Sequence, residues 1–453
     1  MSRWLYSQLL RVALPFAVLG FLWRGWRRPV YRGSVRERLG WSPRSRADRP
    51  LWLHAASVGE VQALTALLRA LHQDAVPLLL TVGTPTGLQR ARALFADLCA
   101  ADTGASAALA LQAAPWDLPG AVQRFLRAVQ PRAAVFIETE LWPNLVAGAR
   151  HHGVPLVLVS ARLSGRSLTR YRRFAPQLMR DTVRAFAAIG AQSEADRARF
   201  IALGAAATAV TVIGNLKFDL PVDAARPVRG AALRAHWARQ RPLWIAGSTH
   251  PGEEAQCVAA QQELLRRARA ARRAPPLLAL APRRPERFAA VARWLADQGL
   301  QVARSSQHGA DVPAADLAAA EIVLIDEMGV LADWYAAADF AFVGGSMVPV
   351  GGHNLLEPAA LARPVLAGPH GFNAPDVAQQ LVEAGGLQIV TNAQELAAAA
   401  AALLEDSALA RDRGAKAAAA VAASSGATAR ARALLAALPA LAATAWAPPS
   451  ASD

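Results

Sequence analysis

Short apolar runs recur along the chain after residue 50. They fall at 51–56, 76–82, 133–137, 155–159, 186–190 and 209–213, then at 243–247, 276–281, 321–325, 339–343, 364–368 and 387–390. Each is nearly continuous in apolar character and bounded by Gly, Pro or polar residues, the pattern of strands buried on both faces. Segments with helical spacing separate most of them. Such alternation predicts parallel βαβ units. It pauses between 219 and 242, where Pro221, Pro227 and Pro242 flank a short polar, basic stretch, and a domain boundary is expected there. The expected organisation is an anchor and basic linker at 1–40, an α/β domain at 41–220, a second at 221–442 and a tail at 443–453. Residues 392–442 are Ala-rich and are expected to be helical. Two doubly wound halves suggest a cleft, with ligands outside the carboxyl ends of the strands.

The run 4–23 breaks the pattern. It is mostly apolar and about long enough to cross a bilayer, although Ser7, Gln8, Arg11 and Pro15 interrupt it. Arg24, Arg27, Arg28, Arg32, Arg36 and Arg38 follow, a basic flank that places the rest of the chain on the cytoplasmic side. The basic cluster comes after the apolar run and no small-residue cleavage site is evident, which argues against a signal peptide. The expectation is an anchor that spans or lies in the membrane interface. The alternative is a helix packed on the domain.

Composition narrows the partners. Apolar residues make up 53% and charged residues 18%, which excludes a wholly disordered chain. Cys99 and Cys257 are the two cysteines, too few for a disulfide framework or a Cys-based zinc site, and they suit a reducing compartment. Lys+Arg is 49 and Asp+Glu 34, a net charge of +15, so an anionic partner is expected. The arginines are dispersed and form no aromatic-interleaved platform, so that partner is not nucleic acid. Walker A and Gly-x-Gly-x-x-Gly motifs are absent, and no histidines have zinc-ligand spacing. No cofactor and no metal are expected.

The candidate chemistry lies just after strands. His54-Ala55-Ala56-Ser57-Val58-Gly59-Glu60 ends a strand and opens a helix. Ser57 and Glu60 have the spacing of a capping box, but a carboxylate there is also placed to take a proton from a hydroxyl nucleophile. Glu138, Glu140 and Trp142 follow another strand, and Arg162, Arg166 and Lys217 put cations beyond two more. In the second half, the small-residue turn 246–250 and the glycines at 344–345 and 351–352 have amides suited to phosphate. Arg283 follows a strand, and Glu357 is placed to accept from a ribose diol.

Together these segments resemble the bacterial 3-deoxy-D-manno-octulosonic acid (Kdo) transferases. The motifs run from Arg36 to Asn373 and include HAASVGE, TPTG, ETELWPN, SARLS, GNLKFD, AGSTH, PERF and GGHNLLEPA. The resemblance implies a GT-B fold of two Rossmann-like α/β domains facing a central cleft. It implies CMP-Kdo as donor, a phosphorylated lipid A precursor (lipid IVA) as acceptor, and an inner-membrane location. By the family pattern Glu60 is the general base, and Glu138 and Lys217 support the transition state. Pro282 and Arg283 match the cytidine nucleotide contacts, as do Met328, Gly329 and Val330, and Asn354, Leu355, Leu356 and Glu357. TVGTPTG, PRRPERF and EMGVL stand where the family usually has TTMTPTG, PRHPERF and TMGEL, so Val330 replaces an acid. Two other readings compete: a GT-B transferase using a UDP- or ADP-sugar, and a membrane-tethered binding protein.

Overall fold

The computed structural model describes residues 1–27, 34–41, 49–99, 109–219, 223–307 and 319–438. The expected tail at 443–453, the linker residues Arg28 and Arg32, and Pro221 lie outside them. The chain forms two compact units, residues 1–219 with 424–453, and residues 220–423.

In the first unit seven parallel strands, β1 (Leu51–Ala55), β2 (Leu78–Val82), β3 (Leu109–Ala113), β4 (Ala133–Ile137), β5 (Leu156–Ala161), β6 (Ala188–Ala191) and β7 (Val210–Val212), lie in the order β3-β2-β1-β4-β5-β6-β7. In β1 alternate residues serve opposite faces. Leu51, Leu53 and Ala55 join one core with Val61, Leu64 and Leu67, whereas Trp52 joins the other with Phe125 and Phe136. Because both faces are covered, the strand reads as an apolar run broken only by the buried His54.

The second unit repeats the plan with β8 (Leu243–Thr249), β9 (Leu277–Pro282), β10 (Val302–Arg304), β11 (Ile322–Leu324), β12 (Phe340–Val343), β13 (Val365–Ala367) and β14 (Leu387–Ile389), in the order β10-β11-β9-β8-β12-β13-β14. Trp244 stacks on Phe340 at its centre, ring centroids 5.5 Å apart. Two such units are the α/β domains of the GT-B class. Each sheet reverses its strand order beside its first strand, between β1 and β4 and between β8 and β12. These switch points are where open α/β sheets bind ligands.

Two strands, β3 and β10, escaped the sequence pattern. Leu109–Ala113 is as compatible with an Ala/Leu helix as with a strand, and Val302–Arg304 has only three residues. The C-terminal helix also departs from expectation. Ala427–Ala436 belongs to the first unit, not to a domain spanning 221–442. Asp219 draws it there by accepting the amides of Gly426, at 2.6 Å, and Thr428. Ala427, Ala431 and Leu435 then bury in the first core, and Arg432 pairs with Asp74 at 2.7 Å.

The N-terminal helix, Arg3–Arg27, is long and apolar enough to cross a membrane, and little of its apolar stretch is buried. Its inner edge touches the first unit. Tyr6 donates to Asp117 at 2.9 Å, Ser7 donates to Asn144 at 2.9 Å, and Phe21 meets Trp116 edge-on. Trp4, Val12, Phe16, Leu19 and Trp26 stand exposed.

Candidate active site

Glu60, Glu138 and Lys217 gather at the β1/β4 switch point of the first unit. Ser57 caps the helix Val58–Ala63, its hydroxyl accepting from the Glu60 amide. Glu60 reaches back: Oε2 accepts from the Ala56 amide at 2.6 Å and Oε1 from the Ser57 hydroxyl at 2.8 Å. The expected capping box is therefore formed in altered form, with the carboxylate closing on the Ala56 amide and the Ser57 hydroxyl instead of the Ser57 amide. Each carboxylate oxygen retains a second lone pair for a further donor. Burial, then the charge of Glu140 and, more weakly, that of Glu138 push the Glu60 carboxyl from 4.5 up to about 7, against the opposing hydrogen bonds from Ala56 and Ser57. A plain capping box lowers a carboxyl, so the rise reports its surroundings.

The turn after β2 supports this loop by close approach. A Cβ on Gly83 would stand 2.9 Å from the Ala56 backbone, which requires glycine there. Thr84 caps the next helix by accepting from Gly87.

Glu138 follows β4 with φ +57°, a left-handed conformation that costs about 1–3 kcal/mol in a non-glycine residue. Its Oε1 lies 2.5 Å from Lys217 Nζ. Lys217 sits in the 3-10 turn Leu216–Phe218, capped by Asn215. Ser160, also at positive φ, donates to Asn215 and accepts from the Leu216 amide, which ties β5 to that turn. The spread-out motifs ETELWPN, SARLS and GNLKFD thus converge on one ion pair.

The candidate nucleotide residues lie at the carboxyl ends of the second sheet. Pro282 closes β9, and the exposed Arg283 donates its amide to the Thr249 carbonyl at 2.9 Å. Met328, 65% exposed, and Gly329, at φ +88°, follow β11. Val330 caps the helix Leu331–Ala337 and rests partly against the core, so only its backbone is offered. Asn354 is exposed, donating to Glu357 at 3.1 Å and accepting from the Leu356 amide, while the side chains of Leu355 and Leu356 are buried. These groups flank β8: the first two follow β9 and β11 on one side, the third follows β12 on the other.

Two features of this unit were not anticipated. Glu253 is fully buried and accepts four backbone amides, from His250, Gly345, Ser346 and Met347, at 2.7–2.9 Å. The amides of Gly345 and His250, both candidates for phosphate, are thus already occupied by a protein carboxylate. His250 and His353 stack with their Nε2 atoms 2.9 Å apart. Burial and the nearby Arg283 push His353 down to about 4, and burial lowers His250 too. Adjacent acids in a first helical turn suggest dipole complementarity, and nothing in the spacing marks Glu253 as buried. Among the described residues no cluster of His, Cys, Asp and Glu is arranged to hold a metal.

The family described as 3-deoxy-D-manno-octulosonic-acid transferase (kdotransferase) matches residues 33–220. A 3-deoxy-D-manno-octulosonic acid transferase of Haemophilus influenzae is 36% identical over 409 residues, 89% of this chain and 91% of that protein. One from Bordetella pertussis is 38% identical over 393 residues, 85% of this chain and 87% of that protein. In structure, the UDP-GlcNAc 2-epimerase of Neisseria meningitidis aligns with a TM-score of 0.51 at 13% identity, covering 85% of this chain and 99% of that one, a likeness of fold alone. With the family match and relatives spanning most of both chains in agreement, the chain belongs to the 3-deoxy-D-manno-octulosonic acid (Kdo) transferase family and is a glycosyltransferase.

Proposed function

We propose that this transferase moves Kdo from CMP-Kdo to lipid IVA, the phosphorylated, acylated glucosamine disaccharide that precedes lipid A, with Glu60 as general base. The observation that carries the reading is a buried switch-point carboxyl raised to about 7. A base with that affinity is substantially ionised at neutral pH and still binds a proton strongly.

Glu60 takes the proton of the attacking acceptor hydroxyl. The hydroxyl oxygen bonds to the anomeric carbon of Kdo, the bond from that carbon to the phosphate oxygen breaks, and CMP leaves with the electron pair. The Lys217 ammonium, held by Glu138, offers positive charge to the developing anion. In the second unit Arg283 and the backbone at 328–330 and 354–357 hold the cytidylate. CMP leaves as a stabilised anion, so a strong general acid is unnecessary.

The acceptor is an amphiphile. The exposed apolar residues of Arg3–Arg27 suit an anchor in the inner membrane, with both α/β units on the cytoplasmic side. The +15 charge suits the lipid phosphates and the Kdo carboxylate. The test is to purify Glu60→Gln and measure turnover and CMP-Kdo binding. A fall of about a hundredfold or more with binding retained is expected. Near-normal turnover in folded protein would exclude the base role.

A further inference from the structure

The turn after β4 carries a carboxylate that this chemistry leaves unused. The Glu140 side chain is 13% exposed, and its Oε2 lies 3.4 Å from His54 Nε2. The same oxygen accepts from the Trp142 indole N–H. His54, in β1, is 3% exposed, and its Nδ1 lies 2.9 Å from the Thr81 hydroxyl of β2. Trp52 Nε1 donates to that hydroxyl at 2.8 Å.

The Thr81 hydroxyl bears on which ring nitrogen of His54 carries the proton. Thr81 Oγ1 already accepts from the indole and has one proton to give. It faces His54 Nδ1 at 2.9 Å and the Leu53 carbonyl at 3.3 Å. In the arrangement proposed below, Thr81 donates along the shorter contact, which leaves Nδ1 accepting and the imidazole proton on Nε2, toward Glu140. Trp52, Thr81, His54 and Glu140 then form one buried chain from β2 through β1 to the β4 turn, ending at the switch point.

We propose that His54 and Glu140 are positioning residues for the transfer, the buried imidazole holding the Glu140 carboxylate beside Glu60 as a fixed negative charge. This rests on the reading of Glu60 as the base. Glu60 has two acidic neighbours, and their partners differ. Glu138 is paired with the Lys217 ammonium at 2.5 Å, whereas Glu140 accepts from the uncharged Trp142 indole and lies 3.4 Å from His54 Nε2. The charge of Glu140 outranks that of Glu138 among the causes of the raised affinity of Glu60.

Charged and titratable groups face Glu60 from several elements. Glu138 and Glu140 come from the β4 turn, His54 from β1 and Lys217 from the 3-10 turn packed on the helix Val58–Ala63. On the two neighbouring helices, Arg69 is paired with Asp97, His72 is half-buried, and Arg90 and Arg92 are exposed.

The experiment is the pH profile of kcat/KM for the full-length protein and its variants, with folding checked by thermal unfolding. The wild-type acid limb is expected at about 7. Glu140→Gln should move it down by at least about half a pH unit and lower the plateau several-fold, because the base is weakened. Glu140→Asp keeps the charge and should hold the limb near the wild-type position. His54→Phe should shift it in the same direction as Glu140→Gln by releasing the carboxylate. If Glu140→Gln does not fold, Thr81→Val, which cuts the Nδ1 contact and leaves both charges, reads the same limb, and a downward shift is again expected. An unmoved or upward-moving limb in the folded variants overturns the proposal. Glu60→Gln separates the failures. If it keeps turnover, the base reading falls. If it is inactive while Glu140→Gln leaves the limb in place, only the positioning role falls.

Discussion

If Glu60 is held near neutrality by burial and by like charge, ionising it must work against the fold. Glu60→Gln removes that ionisation and keeps the shape and hydrogen-bonding reach of the side chain. Raising the carboxyl from 4.5 to about 7 corresponds to about 3 kcal/mol against its charged form. The sign is opposite to that of a salt-bridged acid. The folded state binds the proton more tightly than the unfolded chain, so this group removes stability as pH climbs from 4.5 to about 7, and nothing further beyond. At about pH 5 most of the loss is still to come, and by about pH 8 it is complete. The stability of Glu60→Gln relative to wild type should therefore rise by about 2 kcal/mol between those conditions. Ligand-free urea unfolding of both proteins at the two pH values measures it. A gap that stays constant or shrinks would show that Glu60 is an ordinary capping carboxylate, and the case for its tuning as a base would fail.

Other perturbations read other parts of the account. Lys217→Met should cut turnover by about 10²-fold by removing a cation aimed at developing charge, yet change stability by under about 1 kcal/mol, since the pair is part-exposed; single-turnover kinetics and thermal melts check both. Asp219→Ala should uncap the helix Ala427–Ala436 at a cost of about 1–2 kcal/mol, seen as faster amide exchange across that helix. Glu253→Ala leaves four amides without their acceptor and should destabilise the second unit by about 3 kcal/mol or more, abolishing CMP binding by calorimetry. Deleting residues 1–27 should move the protein from the membrane fraction to the soluble one; an unchanged distribution contradicts the anchor reading.

Strands buried on both faces were legible because they are nearly continuous in apolar residues. Leu51–Ala55 and Ala133–Ile137 have no exposed position to confuse with a helix or a loop. The three-residue edge strand Val302–Arg304 carries too little pattern to read. The Ala-rich C-terminus was legible as helix but not as belonging to the first unit. That membership depends on Asp219, more than two hundred residues earlier, accepting from Gly426 and Thr428. The site divides in the same way. Glu60 stood out by its place after a strand. The acids at 138 and 140 looked alike in sequence, and only their partners, Lys217 for one and His54 for the other, give them different work.

The central claim is transfer of Kdo from its cytidylate donor to a lipid acceptor. The most direct test is to incubate purified protein with CMP-Kdo and lipid IVA and weigh the lipid by mass spectrometry. The account predicts a gain of one or more Kdo units, with CMP released in equal number and no product from UDP- or ADP-sugars. A lipid of unchanged mass from folded, CMP-Kdo-bound protein, or a product carrying a sugar from another nucleotide donor, would contradict it.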